Sequence, residues 1–212
     1  ALAVNPGDID ALSLRADINL VTGDYAASRK DCERMAPFVT VLTDAGCRTF
    51  IDGMTGRARQ SHDMLQSLLA RSKNVDPDQR LWILTRLAEM AWRLNDAALA
   101  EQHFRSALAL GLADGFLLAA YADFLLDYNR PKEVLALLKD WTRADPLLLR
   151  LTLAEQMTGA NTFREHQAAL AARYAAARMR GDTTHEQEES RFADRKSTRL
   201  NSSHMSESRM PS

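Results

Sequence analysis

The chain has little of what staples or punctuates a fold. Among 212 residues there are 2 cysteines, 9 glycines and 6 prolines. Two cysteines, Cys32 and Cys47, are too few for a disulfide scaffold or a cysteine-based zinc site; buried free thiols are expected, with a redox pair as the alternative. No apolar run approaches the ~18–20 residues needed to span a bilayer. Neither sign of charge dominates: 27 Lys+Arg against 28 Asp+Glu give a net charge of −1. That balance excludes the basic footprint of a nucleic-acid binder and a polybasic membrane surface. The first residue is Ala1 and no signal-like segment is visible, so the true start is expected to lie upstream, and a cytoplasmic or a periplasmic location stays open. What is abundant is helix-forming: 33 Ala and 30 Leu within a 46% hydrophobic composition. An all-α protein able to bury a core follows.

The last nineteen residues, Asp194–Ser212, break with the rest. They contain six serines and almost no apolar side chain. Back-translated, Asp194 to His204 reads as a common sequencing adapter, and Met205 to Ser212 fits an index followed by the adapter's next stretch. The segment is therefore expected to be a disordered artefact outside the fold. Without it the chain carries 23 basic and 26 acidic side chains, net −3.

The remainder repeats. Around Asn95 the chain reads LTRLAEMAWRLNDAALAEQHFRSALAL, and around Asn129 LAAYADFLLDYNRPKEVLALLKDW. The pairs Leu84/Leu118, Leu87/Tyr121, Ala88/Ala122 and Phe104/Leu138 correspond at an offset of 34. Further copies surround Gly23-Asp24-Tyr25, Gly56 and Gly159, so the turns fall 33, 39, 34 and 30 residues apart. The Gly56 copy has Arg48 and Thr49 where a large–small pair belongs, and the Gly159 copy has a long Ala/Arg second helix; both are degenerate. Pro6, Pro77 and Pro146 precede first helices, where a missing N–H costs little.

A period near ~34 residues with helix–turn–helix punctuation resembles the tetratricopeptide repeat family, in particular Ala/Arg/Leu-rich members from bacteria. The resemblance rests on Leu84, Leu87 and Ala88 of a first helix, Ala100, Phe104 and Ala107 of a second, and the Gly23-Asp24-Tyr25 turn. It implies a right-handed α-solenoid of stacked antiparallel helix pairs. The pairs would occupy residues 9–41, 42–76, 77–114, 115–144 and 145–182, with a further helix starting over 183–193. Ala1, Leu2, Asn5 and Pro6 would end a preceding second helix, and apolar faces at both ends would await neighbours.

In this family the off-stripe face of each first helix lines a concave groove. By that analogy Trp82, Arg86, Glu89, Trp92, Arg93, Phe116, Asp123 and Asp127 are the candidate groove residues; Trp and Arg are the types that dominate binding hot spots. The alternative is that the aromatics pack between repeats. Family members that clamp the acidic C-terminal tails of chaperones do so with Lys and Asn. Here Thr85, Glu89, Ala119 and Asp123 stand at the matching positions, so such tails are disfavoured.

Catalytic and metal patterns are missing from the sequence. His62, His103, His166 and His185 fall about one per repeat, without a HExxH pair or a His/Cys cluster. Gly53-Met54-Thr55-Gly56 lacks the lysine of a phosphate loop, and no Gly-x-Ser-x-Gly elbow occurs. Neither catalytic residues nor a cofactor or metal is expected. The leading expectation is a non-enzymatic module or scaffold that binds an unidentified protein or peptide in its groove. The alternatives are an accessory repeat domain of a larger enzyme or regulator, or a scaffold for envelope assembly.

Overall fold

The structure, a computed structural model, describes residues 2–182 and 188–191. The adapter-like segment 194–212 lies outside the described residues, and the expected helix over 183–193 is described, as helix, only at 188–191. Among the described residues there are helices and no strand. The chain divides into two compact units, Ala1–Ala120 and Tyr121–Ser212.

The first unit holds α1 (Ile9–Val21), α2 (Tyr25–Met35), a 3-10 turn over Ala36–Phe38, α3 (Val41–Met54), α4 (Ala58–Arg71), α5 (Pro77–Arg93) and α6 (Ala97–Leu108). Helix α7 (Gly115–Asp127) carries the division, and the second unit continues with α8 (Pro131–Leu138), α9 (Asp145–Thr158) and α10 (Phe163–Met179). Neighbours in sequence pack as neighbours in space: α1 on α2, α3 on α4 and α5 on α6, with α3 also against α5; in the second unit α9 lies against both α8 and α10.

Local chemistry sets these boundaries. Side chains of Asp8, Asp24, Thr40, Asp76 and Asp96 accept hydrogen bonds from the first-turn amides of α1, α2, α3, α5 and α6. Each such cap contributes about 1 kcal/mol. Pro77 and Pro131 open α5 and α8. The turns that reverse the chain sit at Gly23, Gly56, Asn95, Asn129 and Gly159, all with positive φ, between 55° at Asn129 and 98° at Gly56. Glycine enters that region without cost and asparagine tolerates it best among the others, which is why these two residue types stand there.

Small side chains are buried at a repeated spacing along the chain. Ala16, Thr49, Ala88 and Ala122 are at most 3% exposed on the first helix of their pairs. The residues twelve further on, Ser28, Ser61, Ala100 and Val134, are buried to the same degree on the second. In the first pair the contact is direct: the Ser28 hydroxyl donates to the Ala16 carbonyl at 2.8 Å. Four residues beyond each second-helix position sits a larger buried group: Cys32, Leu65, Phe104 and Leu138. Thr49, which departs from the sequence pattern, fills the small position and satisfies its own hydroxyl on the Ala45 carbonyl at 2.6 Å. The fifth pair loses the twelve-residue spacing; its second helix buries Leu170, Tyr174 and Ala177.

Three expectations are corrected. Cys32 and Cys47 are not free thiols: they form a disulfide between α2 and α3, with Cα atoms 5.9 Å apart. It closes a loop of sequence separation 15, which in the chain-entropy account stabilises by about 3 kcal/mol. Residues 2–7 are not the end of a helix but turns, held by Asn5, whose side-chain oxygen accepts from the Gly7 amide at 3.2 Å. The histidines are not all isolated either. His62 on α4 and His103 on α6, 41 residues apart in sequence, are buried with their Nε2 atoms 3.2 Å apart.

Burial of that pair predicts an acid-sensitive first unit. Burial, reinforced by the neighbouring His62, pulls His103 down from 6.5 to about 4. A base whose folded pKa is depressed contributes stability above its unfolded pKa and loses it as pH falls through the folded value. Stability should therefore drop by roughly 2 kcal/mol between pH 6.5 and 4 through this group. In urea titrations over that range, His103→Gln should flatten the pH dependence; an unchanged slope would show that the pair is not buried as described.

Candidate functional site

Helix α5 spaces Trp82, Arg86, Glu89 and Arg93 by four, three and four residues, so all four project from one face. That face meets α1 and α3 around two cavities of the first unit. The smaller, about 260 Å³, is lined by Ala16, Asp17, Leu20, Cys47, Phe50, Gln79, Trp82 and Arg86, among others. The larger, about 480 Å³, shares Asp17, Leu20, Phe50, Trp82 and Arg86 and adds Val21, Met54, Asp78, Leu81, Thr85, Glu89, Arg93, Asp114 and Phe116.

Arg86 is the hub. Only 5% exposed, it donates from Nη2 to the Asp17 carboxylate at 2.8 Å and faces Glu89 at 3.5 Å. Its guanidinium carbon lies 4.0 Å from the centre of the Phe50 ring, 5.1 Å from Phe116 and 5.5 Å from Trp82. A cation enclosed by three rings in a desolvated setting is held by ring quadrupoles as well as by its carboxylate partner. Two buried atoms here have no hydrogen-bond partner: Arg86 Nε and Glu89 Oε2. Burial pushes the Glu89 carboxyl up, with Arg86 and Arg93 pulling the other way and Asp17 adding a small push. Arg93 extends along the same wall, its guanidinium carbon 4.9 Å from the Phe50 ring centre.

The wall depends on a close approach at Gly46. A Cβ built there would collide with the Trp82 ring and lie 2.7 Å from Ile83 Cδ1. The absent side chain is what lets the outer edge of the Trp82 ring reach α3. Deeper in the same helix, Gly53 makes room for Met90, whose sulfur would stand 3.1 Å from an added Cβ.

Five of the sequence-chosen groove residues, Trp82, Arg86, Glu89, Arg93 and Phe116, thus line one cavity. Trp92 is half-buried on α5 and lines neither cavity. In the second unit, Asp123 is taken up by arginines: Arg150 at 2.6 Å and Arg191 at 2.8 Å. Asp127 is exposed on α7. Thr85, placed by the family pattern on the groove face, is buried and donates to the Leu81 carbonyl at 2.9 Å. The sequence reading missed Asp78 in the first turn of α5, and Asp17, Phe50 and Asp114, which reach the cavity from other elements. The one signal that pointed to them was the offset between repeats: Asp17 and Phe50 follow directly the small residues Ala16 and Thr49.

Among the described residues no three His, Cys, Asp or Glu side chains gather as a metal site would require. No described helix is long and apolar enough to cross a membrane. The class these elements define is an all-helical protein of paired helices with a cavity framed by α1, α3 and α5. Comparison of the chain with protein-family models, curated proteins and solved structures finds no match in any of the three.

The Gly46 contact yields a direct check on the site. Gly46→Ala should lower stability by about 1–3 kcal/mol through overpacking, although alanine is the better helix former by about 1 kcal/mol. Denaturant titration with a fluorescence spectrum of the native state tests it. A variant as stable as the parent would mean that Trp82 does not lie on α3.

Proposed function

We propose that the chain is a non-catalytic interaction module, a tetratricopeptide-like array whose first unit binds a segment of a protein partner in the α1/α3/α5 cavity. The observation that carries this reading is the convergence of Phe50, Trp82, Phe116 and Arg86 on one concavity. Aromatic side chains and arginine are the residue types that concentrate binding energy when a central contact is desolvated. Phe116 supports it further: 48% exposed, it leaves a ring at the cavity mouth. Val21, 74% exposed on α1, extends the apolar lining outward. The repeated twelve-residue spacing of buried small residues supports the solenoid arrangement, because each first helix then turns the same face inward.

Peptide-display selection on the purified protein tests this reading. Selected peptides should compete with one another, and Phe116→Ser or Val21→Ser should weaken them about tenfold or more, a loss of about 1.4 kcal/mol. Asp127→Asn should leave them unchanged. Peptides indifferent to both cavity substitutions would remove the proposal.

The Cys32–Cys47 bridge supports an oxidising compartment, such as the periplasm, for this module. Thiol alkylation in intact cells of the source, followed by mass spectrometry, should leave both cysteines unmodified until a reductant is added. Two alkylated cysteines before reduction would place the protein in a reducing compartment instead.

A further inference from the structure

Building on the groove reading, we propose that the larger cavity receives a basic side chain of the partner segment, an arginine or a lysine. Its head would meet Glu89, and its stem would lie along the apolar wall of Val21, Met54 and Phe116. Charge complementarity carries the choice. The ionisable side chains lining the cavity are Asp17, Asp78, Glu89 and Asp114 against Arg86 and Arg93, an excess of two negative charges. The two resident arginines, both of which act on Glu89, do not cancel them all. Arg86 is committed to Asp17 at 2.8 Å and to the faces of the three rings. Glu89 is left with Arg86 no nearer than 3.5 Å and an Oε2 atom buried without a hydrogen bond.

Glu89 lines the cavity with its side chain 16% exposed and holds only a long ion pair with Arg86, 3.5 Å, so its carboxylate has room for a further donor on the cavity side. A guanidinium or ammonium provides that donor together with the missing charge, and its methylene stem suits an apolar wall. An acidic side chain would instead meet the surplus negative charge. A purely apolar one would cover Glu89 and leave it with its 3.5 Å ion pair to Arg86 and no new donor. Asp78, exposed on α5, and Asp114, half-buried before α7, extend the negative field to the entrance. They give a cationic segment a steered approach that added salt should weaken.

The test uses three fluorescein-labelled nonapeptides on a Gly/Ser frame. They are identical except at the centre, where a Leu-Arg-Leu core carries arginine, its uncharged isostere citrulline, or glutamate. Fluorescence anisotropy with the full chain should rank them arginine, then citrulline about tenfold weaker, then glutamate without measurable binding. Glu89→Gln should erase the arginine–citrulline difference. Because Glu89 touches Arg86, the exposed Asp78→Asn is measured alongside and should reduce arginine-peptide binding severalfold at low salt with melting unchanged.

Equal binding of the arginine and citrulline peptides, lost with Phe116→Ser, would overturn the basic-anchor assignment and leave the groove reading standing. Preference for the glutamate peptide would overturn it in the same way. A concentration-dependent dimer abolished by Phe116→Ser would make a second copy the occupant and would also overturn it. If no peptide binds, whether designed or display-selected, both readings fall.

Discussion

Close approach of paired helices at a small residue is the constraint on which the rest of the structure depends. Ala16, Thr49, Ala88 and Ala122 each stand twelve residues before a buried partner, Ser28, Ser61, Ala100 or Val134. Backbones brought together in the first three pairs let the larger residue one turn further on, such as Leu65 or Phe104, fill the space between the helices rather than hold them apart. Twelve residues is what two helical arms and a tight turn require. The left-handed residues at Gly23, Gly56, Asn95 and Asn129 supply that turn without lengthening it. The Ala and Leu excess follows from the same demand: small residues at the crossing, leucine around it.

Fixing the pairs also fixes where their first helices point, and that is how a cavity arises in the first unit. Helix α5 is aimed so that Trp82 lies on Gly46 and Arg86 enters the space beside α1 and α3. A buried arginine is costly unless it is paired. Here Asp17 supplies the charge and three rings supply the enclosure. Glu89 is less well served, because the nearest guanidinium is already engaged. The site therefore combines an aromatic frame around Arg86 with a carboxylate whose ion pair to that arginine is long, 3.5 Å. The disulfide joins α2 to α3 beside the smaller cavity, whose lining includes Cys47, so the frame is anchored covalently on that side.

Helix content and turn positions were legible in the sequence because they are local. Composition sets helix propensity, and Gly23, Gly56, Asn95, Asn129 and Gly159 are the residues that a left-handed turn demands. The face of α5 was legible too, since four residues at three-and-four spacing share a side whatever surrounds them. Contacts between pairs were not. Cys32 and Cys47 read as two separate buried thiols because their meeting depends on how α2 leans on α3. His62 and His103 looked scattered because 41 residues separate them. Asp123 had the residue type and helix face of a groove residue, yet Arg150 and Arg191 reach it, and neither is predictable from the period. Asp17 and Phe50 went unnoticed for the same reason: a residue's place in a cavity is decided by the neighbouring helix, not by its own.

The central claim is that a partner segment is held on the α1/α3/α5 face. The three tryptophans, at 82, 92 and 141, allow it to be tested within one sample, because only Trp82 lines the cavity. Titration of the arginine-centred nonapeptide into uniformly ¹⁵N-labelled protein should shift the Trp82 indole resonance and leave that of Trp141 in place. Shifts confined to Trp141, or to amides of α2, α4 and α6 with Trp82 unmoved, would contradict it.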